Sequence, residues 1–423
     1  MKNLLLIFAI VLHATISIAQ TNVSGGIFKN TIWTKANSPY LVTGDIAVYP
    51  GYTLTVEPGV VVKVAGNFKI IIRGGLIAKG TIKDSIQFVS NSRNPAKSNW
   101  LGFQIENDLG GKVEVAYFKG SDAENLFKTN GNSSGEVLNI THSVFTNNNI
   151  AIMGTDGASF SVKLTNSLFY DNNLYAFLFS QNATIENCIF KKGNEGIFSG
   201  GMQNLVVKNC EFSEFAESAI RLGGTYINCK FFSNTNGIKL FPDLHLKDCE
   251  IYNNINGIVT FYPFLPQGYS FINTCVYDNT TYDIKHSYNY NIDLTQISWK
   301  TDSLAITNKI YDAYDNVDLG IVAFNATRQC NVITNTDKVE TMDKITIYPN
   351  PFTLQTTLKT TQILKNANVA LYNSLGQLVK QINNVSEQTI VIERDNLSSG
   401  IYSLWITEKD KIFKIHKITI ADN

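Results

Sequence analysis

A short phrase recurs at intervals of 19 to 26 residues between Ser143 and Cys275. Each phrase places a Ser or Cys after a polar residue, usually Asn, and a large apolar residue two positions later. The seven phrases occupy residues 142–145, 166–169, 187–190, 209–212, 228–231, 248–251 and 274–277. A fixed period in this range is typical of a stacked solenoid, in which every repeat contributes one coil.

Alternation within each phrase assigns the side chains to two faces of a strand. The Ser or Cys and the apolar residue two positions later are predicted to point inward, and the residue between them outward. The inward apolar column is Phe145, Phe169, Phe190, Phe212, Phe231, Ile251 and Tyr277. Glu211, Lys230 and Glu250 fall on the outward side, where we expect a solvated face.

A second strand is predicted after each phrase, for example at 149–152, 236–239 and 256–259. The Asn and Gly residues before these strands suit turns with positive φ. Asn side chains at equivalent turns are also expected to hydrogen-bond along the stack. Because no long segment has helical periodicity, strand and turn alternation predicts a parallel β-helix.

Five of the six cysteines, Cys188, Cys210, Cys229, Cys249 and Cys275, hold the same position in successive phrases. We expect buried free thiols there, because aligned side chains of parallel strands have poor disulfide geometry. Adjacent pairs such as Cys188 and Cys210 are the alternative, since neighbouring strands lie about 4.8 Å apart. No CxxC or Cys/His pattern indicates zinc.

The N-terminus indicates export. Lys2, the apolar run Leu4 to Leu12 and the small residues before Gln20 predict a secretory signal peptide over residues 1–19. The formal net charge is zero, so neither nucleic acid nor a strongly charged partner is indicated. We expect no transmembrane segment in the mature chain, because no other stretch is long and apolar enough to span a bilayer.

The C-terminal third changes in character. We predict a short helix from Ser303 to Tyr311 with Asp302 as its N-cap, a polar linker over residues 325–343, and a separate domain over residues 344–423. Short alternating strands in the last segment predict a small antiparallel β-sandwich. The complete prediction is all-β, with a solenoid over residues 20–324 followed by this sandwich.

Two stretches resemble known families. The Gly44–Gly59 and Gly74–Thr81 segments, with Trp299–Asp302 and Leu319–Phe324, resemble the opening and closing segments of right-handed parallel β-helix repeat proteins of Gram-negative bacteria. The Tyr-Pro-Asn-Pro, Leu-Gly-Gln and Ser-Gly-Ile-Tyr blocks after residue 344 resemble the type IX secretion sorting domain. That resemblance implies the type IX machinery as a partner, passage through the periplasm and across the outer membrane, and a secreted or cell-surface location.

Catalytic chemistry is weakly indicated. Arg221 and Lys239 fall in successive coils near Glu214, Glu217 and Asp243, and we expect an exposed charged stripe rather than a lyase site. Asp312, Asp315 and Asp318 lack the spacing of a calcium loop and are expected to serve the closing segment. We expect neither a metal nor a cofactor.

The candidate binding residues are aromatic. A longer coil carries Phe261, Tyr262, Phe264 and Tyr269 around two prolines, and Tyr288 and Tyr290 follow in the next coil. Exposed rings are able to stack on sugar faces, while rings packed on the flank of the solenoid would have a structural role.

Three functions remain open from the sequence. The first is a non-catalytic protein that binds polysaccharide, cell-surface glycans or other surface partners. The second is a polysaccharide lyase or glycoside hydrolase, and the third is a structural adhesin or surface-layer component. Catalytic residues are not identifiable.

Overall fold

The computed structural model describes residues 20–154, 159–178, 182–199, 204–221, 223–264, 266–300, 303–330, 345–361, 363–373, 378–408 and 411–422. The predicted signal peptide and most of the predicted linker therefore lie outside the described residues. Within these ranges, no helix is long and apolar enough to cross a membrane.

Two parallel sheets build a β-solenoid of about 11 turns. The larger sheet contains the strands Thr21–Ile27, Tyr40–Val48, Val61–Val64, Lys69–Ile72, Ile86–Ser90, Gly102–Glu106, Phe118–Ser121, Asn125–Asn130, Val144–Thr146, Ile150–Gly154, Leu168–Tyr170, Leu174–Leu178, Ile189–Ser199, Glu211–Arg221, Lys230–Phe232, Asn236–Leu240, Glu250–Tyr252, Asn256–Thr260, Cys275–Tyr277, Tyr282–Lys285, Ser298–Trp299 and Ile310–Tyr311. The smaller sheet contains Thr31–Trp33, Thr53–Val56, Gly75–Lys79, Lys112–Ala116, Asn132–Thr141, Ser159–Thr165, Asn182–Glu186, Asn204–Lys208, Gly224–Ile227, Leu244–Lys247 and Ser270–Ile272. The all-β prediction with a parallel solenoid is confirmed.

The chain divides into two compact units. The first runs through Thr184 and adds residues 190–206 and 212–224; the second holds residues 185–189, 207–211 and 225–423. In the first unit the predicted apolar column is a stack of buried rings. Centroids lie 4.9 Å apart for Phe145 and Phe169, 4.8 Å for Phe169 and Phe190, and 4.8 Å for Phe190 and Phe212. Burying each ring contributes roughly 1.5–3 kcal/mol to folding.

The polar part of each phrase makes a tight bend. The residue before the Ser or Cys, or before Thr274 in the last phrase, has positive φ, from 47° to 54°, at His142, Asn166, Asn187, Asn209, Asn228, Asp248 and Asn273. Asn and Asp tolerate this left-handed conformation better than most residues, which explains their recurrence. The following side chain then donates to the carbonyl two residues back: Ser143 to Thr141 at 2.8 Å and Cys210 to Lys208 at 3.1 Å.

Four of the five aligned cysteines match the prediction. Cys188, Cys210, Cys229 and Cys249 are buried free thiols, and burial is the first cause that raises the pKa of the Cys210 and Cys249 thiols well above the usual value. The prediction is wrong for Cys275, which forms a disulfide with Cys330 across a Cα–Cα distance of 5.5 Å.

A one-residue shift explains the error at Cys275. Ile251 pairs with Val276, and Tyr252 pairs with Tyr277. Val276, rather than Tyr277, therefore continues the core column, while Tyr277 stacks on Tyr252 at 5.2 Å. Thr274 takes the Ser/Cys position, and its hydroxyl donates to the carbonyl of Ile272 at 3.2 Å.

Buried asparagines form the expected ladder. In the second unit, the Asn234 side chain donates to Asn254 at 2.9 Å, and Asn254 donates to Asn279 at 2.9 Å. The Asn and Gly residues directly before the second strands were predicted to have positive φ, and this is wrong. The left-handed residues of these turns are Ser233 and Asn253, which lie earlier in the chain. Gly257 is required for another reason, since a Cβ there would lie 2.5 Å from the Asp283 carbonyl oxygen.

The helix of the closing segment is shorter than predicted, and the contacts of this segment with the solenoid extend further along the chain, to Cys330. The helix is Ser303–Thr307, and Ile310–Tyr311 is a strand; Asp302 lies outside the described residues. Strands Ile292–Asp293 and Val322–Ala323 pair with each other. The chain remains attached to the solenoid through Cys330, whose N–H donates to the Trp299 carbonyl at 2.7 Å.

The C-terminal domain consists of two antiparallel sheets, as predicted. One contains Thr346–Tyr348, Gln355–Lys359 and Thr389–Glu393; the other contains Ala367–Tyr372, Leu378–Val385, Gly400–Glu408 and Lys411–Ile420. Its core includes Leu358, Leu371, Ile392 and Leu404, all fully buried. This domain has its own apolar core.

Candidate functional site

The aromatic residues lie where successive coils leave the larger sheet. Leu240 pairs with Thr260, so Phe241 and Phe261 follow equivalent positions in neighbouring coils. The Phe241 ring lies 6.3 Å from Phe261 and 5.0 Å from Tyr262, and Tyr262 lies 5.6 Å from Phe264. Phe241 was not predicted from the sequence. Its signal was its place 20 residues before Phe261, the same interval that separates Cys229 from Cys249.

Two tyrosines of the next coil join this group. The Tyr288 hydroxyl donates to the Phe261 carbonyl and the Tyr290 hydroxyl to the Tyr262 carbonyl, each at 2.8 Å. The two rings are nearly parallel, 5.7 Å apart. These contacts unite the aromatic cluster, defined as Phe241, Phe261, Tyr262, Phe264, Tyr288 and Tyr290.

Tyr269 lies beside the aromatic cluster. Its hydroxyl donates to the Asp293 carbonyl at 2.9 Å, and its ring lies 5.9 Å from Phe271. Burial, followed by the nearby Tyr288 and Tyr269 hydroxyls, raises the pKa of Tyr290 to about 12. Tyr269 therefore affects the pKa of Tyr290 in the cluster. Its hydroxyl, however, is hydrogen-bonded to Asp293 in the following coil.

Exposure divides the cluster into a base and a tip. The base consists of the half-buried residues Phe261, Tyr288 and Tyr290. The tip consists of Tyr262, which is 37% exposed, and Phe264, which is 68% exposed. Because the base hydroxyls are held by backbone carbonyls, the rings stand in defined positions. The arrangement presents two apolar rings to solvent on an ordered support.

A buried histidine holds the segment that carries the two tyrosines. His286 is fully buried; its Nε2–H donates to the Tyr290 carbonyl at 2.6 Å, and its Nδ1 accepts from the Thr260 hydroxyl at 3.1 Å. Burial is the first cause that lowers the pKa of His286, so the ring is neutral at pH 7. The carbonyl partner fixes which nitrogen carries the proton.

Two lysines lie on the same sheet face. Lys239 is 3% exposed, and its ammonium stands 4.6 Å from the centroid of the Phe261 ring. Lys285 pairs in register with Val259, to which Lys239 also pairs. The expected exposed charged stripe is therefore wrong at Lys239, because the loop after Thr260 folds Phe261 against its ammonium.

The other charged residues considered for catalysis have structural partners. In the first unit Arg221 lies 3.4 Å from Glu195 and 4.6 Å from the Phe198 ring, and Glu214 lies 3.1 Å from Lys191. In the second unit, the Asp312 carboxylate accepts the N–H groups of Tyr314 and Val322 at 2.9 Å each.

Glu217 of the first unit accepts the Asn194 side-chain N–H at 3.5 Å. Asp315 accepts the Asp312 N–H at 3.2 Å. Among the described residues, His, Cys, Asp and Glu form no group of three or more suited to a metal ion.

Comparison with known proteins agrees with this architecture. Residues 150–297 match the family model described as the right handed beta helix region, and residues 346–421 match the secretion system C-terminal sorting domain. The chain is a right-handed parallel β-helix protein with a C-terminal type IX secretion sorting domain. It is consequently a secreted or cell-surface protein, and the sorting domain implies the type IX machinery as a partner.

A curated relative matches a small part of the chain. Protein bark beetle of Drosophila melanogaster is 41% identical over 85 residues, which make up 20% of this chain. The aligned segment spans 3% of the length of that relative. The similarity is confined to this segment and carries no activity over to the present chain.

Proposed function

We propose that this protein is a non-catalytic binding protein, displayed on the cell surface or secreted, whose aromatic cluster binds polysaccharide or cell-surface glycan. The observation that carries the proposal is the exposed pair Tyr262 and Phe264 on the ordered base of Tyr288 and Tyr290. Exposed apolar patches on a rigid support often mark sites of interaction.

Aromatic rings suit sugars because pyranose rings have apolar faces as well as polar edges. A ring that stands in place before binding loses little conformational entropy on contact. The base tyrosines, fixed by their hydroxyls, meet this condition, and the tip rings supply accessible area. These contacts support binding, and the proposal assigns no bond-breaking step to the aromatic cluster.

The sorting domain sets where this binding would occur. We propose that residues 344–423 engage the type IX machinery, that the protein crosses the outer membrane, and that the sorting domain is then removed. The solenoid would be released or held on surface lipopolysaccharide. In either case the aromatic cluster would face extracellular glycans.

Affinity electrophoresis of the purified mature protein against a panel of neutral and acidic polysaccharides tests the proposal. The variant Tyr262→Ala/Phe264→Ala should bind about tenfold more weakly, since each lost stacking contact contributes about 0.5–1.5 kcal/mol. Phe28→Ala is the matched control, because Phe28 is a 60% exposed ring of the first coil.

Three results would contradict the proposal. Equal binding by wild type and the double variant would remove the aromatic cluster from recognition. Release of reducing or unsaturated ends from any polysaccharide would instead identify a hydrolase or a lyase. Absence of binding to the whole panel would favour the structural adhesin.

A further inference from the structure

The sheet face beside the aromatic cluster carries two lysines in one aligned row, and the acid of the neighbouring row is buried. In the last coils of the larger sheet, Lys239, Val259, Lys285 and Tyr311 form one aligned row. The row two residues earlier holds Gly237, Gly257 and Asp283. The position two residues beyond Lys239 and Val259 is occupied by Phe241 and Phe261. The charged residues of these rows are Lys239, Lys285 and Asp283.

Lys285 is the available charge. It is half-exposed, and among the described residues its side chain makes neither a hydrogen bond nor an ion pair. Asp283, two residues before Lys285, is 4% exposed, and its carboxylate accepts the Asn279 side-chain N–H at 2.7 Å. Asp312 is 3% exposed and is committed to backbone N–H groups. Neither acid has an ion pair with Lys285.

Lys239 has a different place in the same row. Its ammonium lies against one side of the Phe261 ring and is withdrawn from solvent. A cation against an aromatic face is favourable and also adds positive potential to the cluster. The two lysines flank Val259, so the field they create is centred on the coil that carries Phe261, Tyr262 and Phe264.

We infer that the ligand of the aromatic cluster is an anionic polysaccharide, bearing carboxylate or sulfate groups, and that Lys285 binds its charge. This inference rests on the proposed function, because it assigns a ligand class to the same site. Lys285 acts as a specificity residue: its ammonium donates to the anionic group while Tyr262 and Phe264 hold the sugar ring. A charge-assisted hydrogen bond is stronger than a neutral one and makes the charged sugar the preferred ligand.

Paired polymers that differ in charge test the inference. Dextran is compared with dextran sulfate, and methyl-esterified polygalacturonate with polygalacturonate, each by affinity electrophoresis with the full mature chain. The wild type should prefer at least one anionic polymer about tenfold over its neutral counterpart, with the preference falling as salt increases. The two pairs separate a sulfate ligand from a carboxylate ligand.

Lysine variants locate the effect. Lys285→Gln should lose about tenfold in affinity for the preferred anionic polymer and leave binding of the neutral polymer unchanged. Lys247→Gln is the matched control, because Lys247 is an exposed lysine of the smaller sheet. It removes the same charge elsewhere and should have no effect. Circular dichroism of each variant verifies that the fold is intact.

The possible failures are distinguishable. Equal affinity for neutral and anionic polymers, or equal losses in Lys285→Gln and Lys247→Gln, would overturn the anionic-ligand inference while leaving aromatic binding in place. No binding to any of the four polymers or to the wider panel would overturn the proposed function as well.

Discussion

The residue that precedes each Ser or Cys explains the recurrent phrase. It adopts positive φ, which Asn and Asp tolerate, and the next side chain bonds the carbonyl two residues back. Ser, Cys and Thr are interchangeable at this position because each has a donor on Cβ. The four free cysteines thus act as buried bend-forming residues, and the structure gives them the same role as Ser143 and Ser167.

This role predicts a mild effect of Cys210→Ser. The serine hydroxyl should donate to the Lys208 carbonyl as Ser143 does to Thr141, so the free energy of unfolding should fall by about 1 kcal/mol or less. Phe212→Ala, two positions later in the core stack, should cost about 3–5 kcal/mol. Urea unfolding monitored by fluorescence measures both. A larger loss for Cys210→Ser than for Phe212→Ala would contradict the assignment.

The inward apolar residues were predictable because alternation and period act together over many coils. Phe145, Phe169, Phe190 and Phe212 are buried as predicted. Cys275 was assigned wrongly, since a coil of 26 residues allows a one-residue slip that moves every side chain to the other face. Lys239 was also unpredictable, because its burial depends on how a loop from the next coil folds.

At the scale of elements, the turns between strands are fixed by side-chain ladders along the solenoid. In the second unit Asn254 is fully buried and bonds in both directions, to Asn234 and to Asn279. Its amide also donates to the Phe231 carbonyl at 3.0 Å. Each amide of the ladder satisfies backbone groups that the turn leaves without a partner in the sheet.

Removing one amide from the ladder should therefore be costly. Asn254→Ala leaves the Phe231 carbonyl and the Asn234 N–H without their partner, and we expect a loss of roughly 2–4 kcal/mol in the free energy of unfolding. Asn256→Ala, which removes a half-exposed amide two residues away, should cost about 0.5 kcal/mol. Chemical unfolding measures the difference. Similar losses for both variants would argue against a structural ladder.

The elements of the candidate site were only partly predictable. The two prolines and four rings of the longer coil marked Phe261, Tyr262, Phe264 and Tyr269 as a departure from the repeat. Phe241 was missed because its own coil has ordinary length. The contacts of Tyr288 and Tyr290 with the preceding coil depend on loop conformation, which neither period nor propensity determines.

On the scale of the whole molecule, the chain joins a β-helix to a sorting domain. The β-helix presents a row of equivalent positions on each face, and the sorting domain directs export. Both were predictable from the sequence, one by period and one by resemblance. The ligand was not, since a solenoid tolerates many surfaces on one core. The location of binding must be measured.

Hydrogen exchange with mass spectrometry on the mature protein, with and without saturating polysaccharide, measures that location directly. The account predicts that the ligand slows exchange at residues 259–264 and 285–291 and leaves the coils at residues 142–178 unchanged. Slowed exchange in those earlier coils, with none around Phe261 and Tyr288, would contradict the assignment of the aromatic cluster as the binding site.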